Sequence, residues 1–458
     1  MHVVQQPGAS VQSAEFDREL IARLSCPGPR HSWYPSPERF SDDFGYRDYL
    51  QAVAALRTRG SARPLALYLH LPFCEAQCHQ GPCNNIVSLQ RGKADVYLSY
   101  LKREIEMQGR LFAGINQVGQ LHLGGGTPAC LPAAQMEALM LHLRRCFQFA
   151  ADEQGEYAIE VDPDRTTPQD IASLRRQGFN HISLNLRGAA GEDRCACATE
   201  AIVAAVREAR FRSLSINLMC ALPQHLAAMA STLGTVIAVA PDRITLCQGA
   251  RPGQLSIPSS GMLELCIDTL GQAGYVHIGM DHFARLGDAL AVAHAQGRLH
   301  RNFHGYSTHA DADLVACGVS AISAVASTYS QNVKTLDAYY DLIDSNELPI
   351  ERGIRLSMDD VLRRTIIQML MCQFELSIPS IEQAYPIDFA QYFAAELARL
   401  EQLEREGLVQ IEPQWLSVTP KGRILVRQVC AVFDRYQPSA PAPAADAATS
   451  SARHAPVI

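Results

Sequence analysis

LALYLHLPFCEAQCHQGPCNN, from Leu65 to Asn85, decides how the rest of the chain is read. Its first seven residues carry no formal charge, are mostly Leu with one Tyr, and stop at Pro72, which predicts a short β-strand. The loop that follows holds Cys74, Cys78 and Cys83. Thiolates are soft ligands suited to zinc or iron–sulfur clusters, and three within one short loop can converge on one centre. A loop directly after a parallel strand is where barrel proteins build their sites. The plainer alternative is a chance grouping of thiols, since the chain has 14 cysteines.

Working outward, similar β-rich runs recur as VGQLHL from Val118, YAIEV from Tyr157, HISLNL from His181, SLSINLM from Ser213, DRITLC from Asp242 and YVHIGM from Tyr275. Their starts are 39, 24, 32, 29 and 33 residues apart, the length of a strand–helix unit. Leu98, Leu101, Ile105 and Phe112 repeat at near-helical spacing in one of the gaps. Nearly continuous apolar strands alternating with helices predict an α/β protein with a parallel sheet, closed or partly closed into a barrel over residues 61–295. Residues 1–60 read as an irregular segment. Residues 296–437 read as a mostly α C-terminal domain. Its signals are a helix capped by Ser357 and Asp360, a helix from Phe389 to Arg405 stopping at Gly407, and the pair LVQIE/WLSVT as a winged-helix-like hairpin. A last helix holds Ile424, Leu425 and Val429. Residues 438–458, rich in Pro, Ala and Ser, read as a disordered tail.

The 458 residues carry 40 Lys and Arg against 47 Asp and Glu, a net charge of −7. No basic field favours nucleic acid or an anionic membrane, so the winged-helix-like module reads as a structural or substrate-capping domain, not a DNA reader. The first 20 residues lack the basic and apolar regions of a secretory signal, and no uncharged apolar run reaches the ~18 residues of a membrane span. These features predict a cytoplasmic, thiol-rich globular protein.

The segments PGPR near residue 30, HLPFC, CNNIV, LFAG, HLGGGTP, IEVDP, IGMDHFAR, LHRNF, GVSAIS and TPKGR stand in this order between about Cys26 and Tyr436. In their order they resemble the radical S-adenosylmethionine (SAM) enzymes and, within them, the oxygen-independent coproporphyrinogen III dehydrogenase branch. The resemblance implies a partial (β/α)6-type barrel, a [4Fe-4S] cluster and SAM as cofactors, and a tetrapyrrole as substrate. It also implies oxidative decarboxylation of two propionates to vinyl groups, giving protoporphyrinogen IX in haem (porphyrin) biosynthesis. It further implies a monomer served by an electron donor that the sequence does not identify. Tyr68, Gly124, Gly125, Gly126, Thr127, Glu160, Ala250 and Ile322 match cofactor-contacting positions of the family. For Ala250 and Ile322 a simple core role is the competing reading. A lone carboxylate such as Glu160 on a buried strand is harder to explain by packing.

The chain departs from the family at the cluster. The third cysteine of the family's C-x3-C-x2-C motif falls on Gly81, which offers no ligand. Cys83 can replace it, giving C-x3-C-x4-C on Cys74, Cys78 and Cys83. Gly81 adds backbone freedom there and Pro82 removes some. His79 is an alternative nitrogen ligand. Arg187, Thr199, Asn217 and Ala221 also differ from family residues on the cofactor side. Three readings stay open: an active enzyme with Cys83 as replacement ligand, a catalytically impaired paralogue binding porphyrin, haem or a partner without SAM cleavage, and a zinc site on the same thiols. Asp281, His282 and Arg285 form a polar knot with either a ligand or a structural network as its explanation. Cys195 and Cys197 read as incidental loop thiols.

Overall fold

The computed structural model describes residues 15–24, 33–58, 63–74, 86–87, 91–115, 117–126, 128–186, 194–220, 226–248, 250–251, 254–255, 260–302, 305–309 and 312–437. Six strands run parallel in chain order: β1 (Leu65–Leu71), β2 (Gln117–Gly125), β3 (Glu156–Val161), β4 (His181–Leu186), β5 (Ser213–Cys220) and β6 (Arg243–Gln248). Each of the first five leads into a helix: α2 (Arg91–Leu111), α3 (Ala133–Cys146), α4 (Pro168–Arg176), α5 (Arg194–Glu208) and α6 (Leu226–Ala238), with α1 being Tyr46–Thr58 upstream. Neighbouring strands linked by such crossovers give the expected partial (β/α)6 barrel. After α7 (Ser260–Gln272), β7 (Tyr275–Gly279) and β8 (His282–Arg285) form an antiparallel edge against β6.

The strands are less uniformly apolar than their sequences suggest. Tyr157, Ile159 and Val161 of β3 and Ile182, Leu184 and Leu186 of β4 pack in the apolar core shared with the helices. The alternate residues, Glu156, Ala158 and Glu160 on β3 and His181, Ser183 and Asn185 on β4, are polar or small and only partly buried. Period-two geometry therefore divides each strand between an oily outer face and a polar lumen.

At the start of the strands this lumen is plugged. Arg243 donates Nη1 to Glu156 at 3.1 Å and Nε to both oxygens of Asp288 at 3.0 Å. Burial pushes the Glu156 carboxyl up, but Arg243 and His181 outweigh it and hold it near 2. His181 is held at about 4 by burial, against the pull of Glu156.

The N-terminal segment is not irregular throughout. Tyr49, Ala52 and Val53 of α1, at i, i+3 and i+4, are buried in the barrel's core. The main sheet also continues past residue 295. The hairpin β9 (His300–Asn302) and β10 (Gly305–Ser307) precedes β11 (Asp313–Cys317), which pairs parallel with β1. β12 (Ile322–Val325), β13 (Thr328–Asn332) and β14 (Ile350–Arg355) then extend the sheet antiparallel. Glu104 of α2 locks this extension in place. It accepts from Tyr339 Oη at 2.5 Å, Asn332 Nδ2 at 2.8 Å and the Gly318 amide at 2.7 Å. Tyr339 lies on α8 (Leu336–Asp344).

A second apolar cluster belongs to the C-terminal module. Its first helix, α9 (Met358–Gln373), starts with the expected capping box of Ser357 and Asp360. The helix expected from Phe389 to Arg405 is two helices, Phe389–Tyr392 and α10 (Ala394–Arg405). Phe393 leaves the helical backbone between them and drives its ring between Phe389 and Phe433, at 4.9 and 5.5 Å. The expected hairpin forms as β16 (Val409–Ile411) and β17 (Trp415–Val418), joined by β15 (Glu375–Ser377) in a three-stranded winged-helix-like sheet. α11 (Val426–Val432) closes the module. The expected tail, 438–458, lies outside the described residues. Among the described residues no helix is long and apolar enough to cross a membrane.

Candidate active site

The mouth of the barrel, at the C-terminal ends of the strands, gathers the polar lumen residues into one chain of contacts. Tyr68 and His70 stand two apart on β1 and share a face. Tyr68 Oη and His70 Nδ1 lie 3.1 Å apart, and the Tyr68 ring stacks on His122 of β2 at 5.8 Å. His122 Nε2 is 3.1 Å from Glu160 Oε1. Asn185 on β4 donates to the other Glu160 oxygen at 3.4 Å, and Asn217 on β5 donates to Asn185 Oδ1 at 2.8 Å. The pairing register makes this possible: Tyr68 faces His122 across β1 and β2, and Asn185 faces Asn217 across β4 and β5.

Glu160 is therefore not a lone buried carboxylate. Its side chain keeps 26% of its surface exposed and has two polar neighbours. His70 is the enclosed member, at 2% exposure, and its Nε2 has no hydrogen-bond partner. Burial holds its imidazole at about 4, so the ring is neutral near pH 7, although Glu160 pulls the other way.

The glycines at the end of β2 form the floor of the mouth. Gly125 has φ +107°, and a Cβ there would meet the His70 ring at 2.7 Å. At Gly126 a Cβ would fall 2.2 Å from the Phe73 carbonyl oxygen, while the Gly126 amide donates to Leu71 O at 2.8 Å. Only glycine lets β2 end this close to the start of the cysteine loop. The stems of that loop, Phe73–Cys74 and Ile86–Val87, pair in parallel, so Cys74 starts beside the glycines. Cys78, Gly81, Cys83, Thr127 and Arg187 lie outside the described residues.

Tyr68, Gly124, Gly125, Gly126 and Glu160 thus converge on one mouth. Ala250 lies just beyond β6 in the two-residue pairing of Ala250–Arg251 with Gln254–Leu255. Ile322 packs with Phe40, Tyr329 and Leu356 in a small apolar cluster. The polar knot around β8 divides: Arg285 is exposed, Asp281 pairs with Arg427 of α11 at 3.3 Å, and His282 is half-buried with its Nδ1 covered. His70, His122 and Asn185 escaped the sequence reading. Their signal was available as polar residues at every second position of otherwise apolar strands.

The mouth fits SAM on three counts: a carboxylate with room beside it, a glycine edge that side chains would fill, and an enclosed ring nitrogen with no protein partner. Of the cysteine loop, the Cys74 backbone stands at this mouth, paired with Val87. Among the described residues no group of three or more His, Cys, Asp or Glu could hold a metal ion.

Comparisons with known proteins agree with this layout. The family model described as the HemN C-terminal domain matches residues 356–425. Over 449 residues the chain is 41% identical to the oxygen-independent coproporphyrinogen III oxidase of Escherichia coli (strain K12), covering 93% of this chain and 97% of the relative. It is 38% identical over 451 residues to the Pseudomonas aeruginosa protein of the same name, covering 94% and 98%. It also matches the solved structure of coproporphyrinogen III oxidase (HemN) from Escherichia coli, described as a radical SAM enzyme. The TM-score is 0.85 at 39% identity, with 93% of this chain and 100% of that chain covered. A parallel partial barrel with a polar mouth beside a cysteine loop is thus the architecture of a radical SAM protein. Within that class, the chain belongs to the oxygen-independent coproporphyrinogen III oxidase family.

Proposed function

We propose that this protein converts coproporphyrinogen III to protoporphyrinogen IX by SAM-dependent oxidative decarboxylation of two propionate side chains. The observation that carries the reading is the near full-length match to relatives bearing that name. Every relative reported above carries the oxidase name, so a non-catalytic tetrapyrrole binder is the less favoured reading. The cluster ligands are Cys74, Cys78 and Cys83, with Cys83 replacing the cysteine missing at Gly81. SAM lies along Tyr68, the edge from Gly124 through Thr127, Glu160, Ala250 and Ile322. The protein acts as a cytoplasmic monomer with an external electron donor.

When bound, the cluster and SAM supply the one-electron chemistry that removes a hydrogen atom from a propionate side chain. In each propionate the loss of that hydrogen atom, one further electron and CO2 leaves a vinyl group. The chain's own residues do the positioning. Glu160 offers Oε1 and Oε2 as acceptors for a cationic amine, and His122 and Asn185 hold that carboxylate in place. Tyr68 gives a planar face at the mouth, and neutral His70 can accept or donate a hydrogen bond through Nε2 without adding charge.

Anaerobic reconstitution with iron and sulfide, followed by SAM cleavage and coproporphyrinogen turnover, tests the proposal. The wild type should hold about four irons per chain and turn over substrate, and Cys83→Ser should lose both. Normal turnover in Cys83→Ser removes Cys83 from the ligand set. A wild type that never cleaves SAM under strong reduction overturns the enzymatic reading.

A further inference from the structure

Between the barrel and the C-terminal module lies a cation outside the chain of contacts at the barrel mouth. Arg301, on β9, is only 7% exposed, and its Nε and Nη1 have no hydrogen-bond partner. No ion pair reaches it among the described residues. Its neighbours are occupied elsewhere. Gln368 of α9 exchanges hydrogen bonds with the Arg301 backbone, at 3.2 and 2.9 Å, and not with the guanidinium. Asp281 is paired with Arg427. Tyr306 gives its hydroxyl to Met371 O at 3.0 Å, and its ring lies under the guanidinium at 4.7 Å. That ring covers the flat face of the group and leaves the in-plane N–H groups of Nε and Nη1 bare.

The same Tyr306 ring also meets His282, edge-on at 5.2 Å, and the His282 Nδ1 is likewise enclosed without a partner. Burial, reinforced by Arg301, holds His282 at about 3, so it stays neutral and adds no competing charge. A buried guanidinium with no anion is costly, and a protein that keeps one at an interdomain seam has a use for it.

We propose that Arg301, with His282 on the same Tyr306 ring, is a carboxylate-binding site between β9, β8 and α9. The planar fork suits a carboxylate in two-point contact, and His282 can complete the site as a neutral hydrogen-bonding group. Two molecules of the proposed reaction carry carboxylates: the tetrapyrrole, through its propionates, and SAM. Naming either as the occupant rests on the oxidase reading; the carboxylate site itself does not.

The test uses the full chain, reconstituted anaerobically, as wild type, Arg301→Met and Arg301→Lys. Propionate serves as the minimal probe by thermal unfolding, and coproporphyrin III, its tetramethyl ester and SAM are titrated for affinity. Propionate should raise the Tm of the wild type and leave that of Arg301→Met unmoved. Arg301→Met without ligand should be at least as stable as the wild type, because an unpaired buried charge has been removed. The tetrapyrrole source predicts that Arg301→Met weakens coproporphyrin III at least tenfold, leaves SAM unchanged and abolishes the preference over the ester. The SAM source predicts the tenfold loss for SAM instead. Arg301→Lys, which keeps the charge and loses the fork, should fall between the two proteins. If the wild type ignores coproporphyrin III but responds to propionate through Arg301, the site stands and the oxidase reading falls. Unchanged responses to all probes in both variants, or an Arg301→Met protein that is destabilised or fails to fold, overturns the proposal.

Discussion

The two ends of the barrel lumen are built from the same strands and behave in opposite ways. At the start of β3, Glu156 meets Arg243, which in turn holds Asp288, so every charge is answered within the chain. Four residues along the same face, Glu160 has only a histidine and an amide for company and keeps a quarter of its surface open. The spacing of two residues per repeat puts both carboxylates on one wall. What separates structure from site is whether the chain supplies the counter-charge. The bottom is a plug, and the mouth is a receptor that lacks a cation.

The hardest way to break this contrast is to remove the plug's centre. Arg243→Met leaves Glu156 and Asp288 buried without their cation, and should cost about 3–5 kcal/mol in denaturant unfolding. A cost below about 1 kcal/mol would mean that the plug is no more than a surface ion pair.

At the mouth, Gly126→Ala places a methyl group against the Phe73 carbonyl and should displace the start of the cysteine loop. Iron content after reconstitution should fall sharply, while far-UV circular dichroism remains that of the wild type. Retention of the full iron complement would show that the glycine edge is not needed to seat the loop.

A subtler change sharpens the comparison. Glu160→Gln should alter stability by less than about 1 kcal/mol, because the group is a quarter open and has no full ion pair. The same change should weaken SAM about tenfold or more in equilibrium dialysis, since a neutral amide replaces a charged acceptor. A large stability loss with unchanged SAM affinity would make Glu160 a second plug.

The smallest effect concerns protons. His70 titrates near 4 in the folded chain and near 6.5 when unfolded, so the unfolded chain binds the proton first as pH falls. Stability from this group is complete above about 6.5 and is lost as pH drops toward 4. His70→Gln should reduce the acid slope of unfolding free energy by up to about 1.4 kcal/mol per pH unit in that window. An unchanged slope would place the acid sensitivity in His181 and the other enclosed histidines.

The strand–helix alternation was legible because each βα unit writes its own period into the chain. The seven predicted strands from Leu65 to Tyr275 all form, and the Ser357 capping box and the β16–β17 hairpin stand where local signals put them. Tyr68 and Glu160 were singled out by resemblance to family positions and the glycines by their place at a strand end, and the structure brings them to one mouth. The break at Phe393 was not, because it follows from where Phe389 and Phe433 stand in the packed module. Nor was the continuation of the sheet through β11–β14, which depends on pairing with β1 across more than 200 residues of sequence.

The sequence by itself determined the repeating units, the cysteine loop after β1 and the substitution at Gly81, since these are statements about neighbours along the chain. Only the tertiary structure decided which charges are answered. Glu156 and Glu160 look alike as isolated letters, as do Arg243 and Arg301, and the difference within each pair lies in what distant strands bring within hydrogen-bonding reach. Desolvation makes that difference large, because a buried charge must find its partner in the fold or in a ligand.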